Sequence, residues 1–101
     1  MLYLKKALLI IDVQNDYFEG GKSELRKPND ALQNIEKVLN LFRGKELPII
    51  HVQHVNNRVG ATFFLPGTDG VMIHKNLTPL ENELLIIKHA PKNNQYLEAF
   101  Q

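Results

Sequence analysis

At 101 residues the chain has room for one domain with a modest hydrophobic core. Apolar residues make up 44% of it, which excludes a disordered protein, and twelve basic against eleven acidic residues, with no basic stripe, argue against nucleic acid as a partner. There is no cysteine, which removes disulfides, thiolate metal sites and a cysteine nucleophile.

At the N-terminus, two lysines precede an apolar run too short for a signal-peptide core with a cleavage site. No segment approaches the ~18 continuous apolar residues of a membrane span, so the expected location is cytoplasmic, with no membrane partner. The first element is "ALLIIDV", Ala7–Val13: a continuous rather than alternating apolar run predicts a strand buried on both faces. It ends on Asp12, a carboxylate that is costly at the lip of a buried strand unless something pairs with it. After Gly20-Gly21, which lacks phosphate-loop spacing and reads as a turn, comes an amphipathic helix near residues 29–43. Leu32, Ile35, Val38, Leu39 and Phe42 recur on one face, Asn29 or Asp30 is placed to cap the start, Gly44 to cap the end, and Pro48 stops continuation.

"PIIHVQHV" gives a second strand near 48–55, and a long loop rich in Gly, Pro, Asn and Thr runs from Asn56 to Pro79. "ELLIIK" gives a third strand near 83–88, an apolar run again ending on a charge, and "HAPKNNQYLEAFQ" has the composition to begin another helix. Strand, helix, strand, loop, strand is the beginning of a parallel α/β sheet, because crossover connections make neighbouring strands parallel.

In open parallel sheets, ligands bind at the carboxyl ends of the strands. Asp12 ends the first strand and Lys88 the third, so the two are placed to meet in one crevice, each favouring the other's charged form. A structural ion pair, or an aspartate bonding loop amides, fits the same residues. His54, near the end of the second strand, and Phe18, just beyond the first, are the expected substrate-binding residues. His51 and His54 are three apart and face opposite sides of a strand, which makes them poor joint metal ligands. Asp16 reads as a turn acid rather than a cation ligand, His74 and His89 as surface or packing residues, and Ser23 has no nucleophile-elbow context.

"ALLIIDVQNDYFEGG" resembles the opening of the isochorismatase-like, or cysteine hydrolase, family. "PIIHVQHVNN", "FLPGTDG", "IHKNLTP" and "LLIIKHAP" resemble the segments that follow, so the likeness spans about residues 5–91. It implies a three-layer α/β/α (Rossmann-like) parallel sheet, here truncated to about its first three strands in a single incomplete domain. It also implies small-molecule amide or vinyl-ether hydrolysis. Amidase members use an Asp, Lys and Cys triad, in which Asp12 takes the place of the base and Lys88 that of the residue holding the thiolate. The cysteine position follows a fourth strand, beyond this chain. The run after the lysine, "PKNNQY", departs from the family's Pro-Asn-small-Phe pattern. The nicotinamidase branch's Asp-x-His motif is replaced by "HVQHVNN", so no metal and no other cofactor is implied. The expected protein is therefore a family member inactive by itself, or a non-catalytic assembly module from a truncated hydrolase gene. An exposed sheet edge makes a homo-oligomer the expected state.

Overall fold

The structure, a computed structural model, describes residues 6–89. Strand β1 (Leu8–Ile11), helix α1 (Pro28–Gly44), strand β2 (Ile49–Val55) and strand β3 (Leu84–His89) follow in chain order, with short 3-10 turns at Asn15–Tyr17, Asp69–Val71 and Lys75–Leu77. The three strands form one parallel sheet in the order β1-β2-β3, with Ile10 opposite His51 and His54 opposite Lys88. These are the expected elements, with β1 shorter than its apolar run. The helix expected after His89 lies outside the described residues. Among those residues, no helix is long and apolar enough to cross a membrane.

The core is the seam between sheet and helix. Leu32 and Leu39 of α1 meet Ile10, Ile49 and Leu77, with Ile35 and Phe42 packed around them. Truncating a wholly buried leucine such as Leu39 to alanine removes about 2–5 kcal/mol. The Lys75–Leu77 turn supplies Leu77 to the same cluster, so the β2–β3 connection lies on the α1 side of the sheet. A partly buried polar network staples that side: the Arg43 guanidinium donates two hydrogen bonds to the Glu83 carboxylate (2.7 and 2.8 Å), which also bonds His51 Nε2 (2.8 Å) and accepts from the Leu80 amide (3.0 Å).

Three local expectations are corrected. Neither Asn29 nor Asp30 caps α1. Lys27, in left-handed backbone (φ 51°), is the N-cap, and Pro28 holds the first turn with its preset φ while Asp30 faces the positive helix end. Gly44 is helical, and the chain turns two residues later. Glu46 takes φ 54°, its amide donates to Arg43 O (3.1 Å), and the Leu47 amide donates to Phe42 O (3.0 Å). That is a Schellman ending with glutamate where glycine is usual. Third, β1 is not buried on both faces. Leu9 and Ile11 are 53% and 48% exposed, and Leu84–Ile87 of β3 are exposed throughout. A continuous apolar run shows that a strand is suited to cover on both sides. Here the described residues supply a layer to one side.

Candidate active site at the carboxyl ends of the strands

The site begins where β1 stops. The Asp12 amide donates to Val52 O (2.9 Å), so the backbone is still in the ladder, but its φ of 61° turns the chain out of the strand. Left-handed backbone is uncommon outside glycine, and such strain concentrates at functional positions. Asp12 Oδ2 lies 3.2 Å from Lys88 Nζ, the ion pair expected from the sequence. Its other oxygen, Oδ1, is buried with no hydrogen-bond partner among the described residues. The carboxylate is thus anchored on one oxygen and offers the other as an acceptor.

Around the pair, Tyr17 and His54 complete a small polar cluster. Burial, and secondarily the negative charge of Asp12, hold the Tyr17 hydroxyl above its usual pKa. Burial lowers that of His54 and outweighs the pull of Asp12, leaving the imidazole neutral at pH 7. His54 and Lys88 are opposite each other in the register and so share one side of the sheet. Phe18 is placed differently. Its ring stacks on His74 (centroids 4.5 Å apart), and it borders both a cavity of about 170 Å³ that includes Asp12 and a larger hollow of about 600 Å³ that does not. Tyr17 is the neighbouring aromatic whose polar group senses Asp12, and the sequence reading passed over it.

The loops that frame the site are held by residues whose signal in the sequence is weak. Gln14 is fully buried, and its side chain behaves as a piece of strand: Oε1 accepts from the His54 amide (2.8 Å), while Nε2 donates to His54 O (2.8 Å) and Val71 O (2.7 Å). Gln53 Nε2 donates to the same Val71 carbonyl (2.8 Å). Asp16 is buried as well. One oxygen accepts from the Lys22 amide (3.0 Å) and the other from the Phe64 amide (2.7 Å), binding the Gly20-Gly21 turn to the long loop. Phe64, almost wholly buried at φ 56°, is kept in that strained conformation by the Asp16 bond and by its carbonyl accepting from the Asn56 amide (2.8 Å). It packs edge-on to Tyr17 at 4.8 Å, so the loop reaches the cluster through an aromatic contact. The side chains that sequence reasoning paired, Asp12 and Lys88, do come together. His51 does not join them: it faces α1 and Glu83. Among the described residues, no three His, Asp or Glu side chains gather as a cation site.

Parallel strands with an aspartate and a lysine at their carboxyl ends define a class of α/β protein that places acid–base groups above the sheet, and comparison with known proteins names the family. The isochorismatase domain matches residues 6–96: the chain belongs to the isochorismatase family. The uncharacterized isochorismatase family protein YddQ of Bacillus subtilis (strain 168) is 49% identical over 87 residues, which cover 86% of this chain and 48% of YddQ. An isochorismatase from Pseudomonas putida KT2440 superposes with a TM-score of 0.72 at 33% identity, over 96% of this chain and 54% of the other. N-carbamoylsarcosine amidase from Thermoplasma acidophilum gives 0.76 at 22% identity, a likeness of fold, over 96% and 62% respectively. The chain therefore spans about half the length of the relatives it matches.

Proposed function

We propose that this chain carries the acid–base half of a hydrolytic site for a small-molecule substrate with an amide or vinyl-ether bond. The observation that carries the reading is the Asp12 carboxylate, fixed through Oδ2 to Lys88 at 3.2 Å, with Oδ1 buried and unbonded among the described residues. A carboxylate held this way is preorganised to exchange a proton at Oδ1, and the ammonium beside it stabilises negative charge developing on a bound substrate. In amide hydrolysis the proton would come from a nucleophile, which this cysteine-free chain does not supply. In vinyl-ether hydrolysis the carboxylic acid protonates the double-bond carbon, and water adds to the resulting oxocarbenium ion and returns a proton to the carboxylate. The hemiketal so formed collapses to a carbonyl compound and the alcohol as its C–O bond breaks, a route that needs no thiol.

The chain alone is accordingly expected to show no amidase turnover, because removal of one member of such a constellation leaves little beyond binding and electrostatics. Assays on simple amides, nicotinamide and a vinyl ether test this, with Asp12→Asn and Lys88→Ala alongside. Vinyl-ether turnover lost in both variants supports the reading. Turnover of any substrate that survives both variants refutes it. A second reading, a non-catalytic assembly module, draws on the uncovered sheet face, and absence of turnover under every condition, with a covering partner bound, favours it.

A further inference from the structure

Where β1 leaves the sheet, β2 runs on beside an empty place. The last bond of the β1–β2 ladder is the Asp12 amide on Val52 O (2.9 Å), and Asp12 then turns the chain away. From there the backbone pairs elsewhere: Val13 O accepts from the His74 amide and the Asn15 amide donates to Met72 O, both at 3.0 Å. In a parallel ladder a strand bonds the same neighbour at every second residue, so the N–H and C=O of His54 face the place β1 has left. Unpaired, these two partly buried groups would each cost their desolvation. The side chain of Gln14 fills the place. Its Oε1 accepts from the His54 amide and its Nε2 donates to the His54 carbonyl, both at 2.8 Å. The second Nε2 proton goes to Val71 O (2.7 Å), so the carboxamide spends both donors and its oxygen, at 0% exposure.

We propose that Gln14 is a positioning residue of the site: standing in for the departed strand, it fixes the main chain of His54, and so its imidazole, beside the Asp12–Lys88 pair. It also ties that position to the Asp69–Val71 turn. His54 lies opposite Lys88 in the register, and Lys88 lies 3.2 Å from Asp12, so a displacement of His54 is a change in the site itself. The neighbouring positions are held by different means. Gln53 Nε2 donates to the same Val71 carbonyl (2.8 Å), and the Asn56 amide donates to Phe64 O (2.8 Å). At His54 the work falls to one carboxamide. A glutamate there has no proton to donate when ionised, a methionine can neither donate nor accept usefully, and an asparagine is one methylene short. The inference rests on the catalytic reading only in taking His54 as part of the site.

The test reads His54 by NMR in the absence of substrate, so its outcome is separate from whether the chain hydrolyses anything. Burial keeps the imidazole titrating below its usual 6.5, against the pull of Asp12 and with the push of Lys88 and His89. In Gln14→Met, a side chain of similar length, the strand end is released and the imidazole gains water. Its titration midpoint is expected to rise toward 6.5, and the His54 amide to exchange about tenfold faster, the effect of one lost hydrogen bond. Ile49→Val, which loosens the core at the other end of the same strand, is expected to leave the His54 midpoint where it was. An unchanged midpoint in Gln14→Met, or an equal shift in both variants, overturns the proposal. A second measurement uses the unaltered chain and decides the matter even if Gln14→Met fails to fold. The Gln14 carboxamide protons and the His54 amide are expected to exchange slowly and, in urea below the unfolding transition, with one shared dependence. Fast exchange of the carboxamide, or separate openings of the two groups, overturns the proposal equally.

Discussion

Asp12 and Asp16 are four residues apart and have opposite bonding states. Asp16 has both oxygens engaged by backbone amides, whereas Asp12 has one oxygen on a lysine and one unengaged among the described residues. Removing Asp16 should therefore be felt as instability. Asp16→Ala leaves the Lys22 and Phe64 amides without their acceptor and loses about 3 kcal/mol in urea denaturation, each bond to a charged group contributing about 1.5–3 kcal/mol. A similar or larger loss is expected for Gly21→Ala, because a Cβ there meets the backbone carbonyl of Asp16. Asp12→Asn, by contrast, breaks a partly exposed ion pair and is expected to change stability by no more than about 1 kcal/mol. On the function proposed above, its effect is expected in a turnover assay rather than in stability. Asp12 was legible because an acid closing an apolar run stands out. Gln14 and Asp16 were not, or were read merely as loop residues, because hydrogen bonds between distant loops leave no periodicity in the sequence.

At the scale of elements, α1 was readable from its 3.6-residue pattern, and its ends were not. The chain could place Gly44 or Glu46 at the left-handed position that follows the helix, and the Schellman bonds select Glu46. Glu46→Gly should relieve that backbone and raise stability by up to about 1 kcal/mol, seen as a higher urea midpoint with an unchanged slope. The Arg43–Glu83–His51 staple, which joins α1, β2 and the start of β3, sets an acid limit on the same elements. The bidentate Arg43 bond, foremost, holds the Glu83 carboxyl at about 2, below its usual 4.5. A depressed carboxylate contributes stability above its unfolded pKa and loses it as the pH falls, so the staple is intact above about pH 4.5 and gone by about pH 2. Glu83→Gln is expected to cost on the order of 3 kcal/mol at neutral pH and to flatten the stability profile across that window. Equal acid slopes in the two proteins would show that the staple contributes nothing.

For the whole molecule, the parallel order, and with it the placing of Asp12 and Lys88 together at the strand ends, followed from the alternation of strand and crossover. What the chain could not disclose was cover: "LLII" in β1 and β3 states what those strands are suited to pack against, while the cover itself depends on residues elsewhere. The native chain should accordingly bind a hydrophobic dye such as ANS, with the signal reduced by Ile86→Lys, since contiguous exposed aliphatic patches do so and scattered ones do not. Full dye binding in that variant would place the reactive surface elsewhere. Inside a cell the same face has a second reader. Chaperones and proteases survey exposed apolar surface, and they set the abundance of chains that fail to hide it. With Leu9, Ile11, Leu84 and Ile86 exposed, the chain is expected to be a substrate for that surveillance. A pulse-chase comparing the chain with its Ile86→Lys variant is expected to show a longer half-life for the variant, with no change in synthesis.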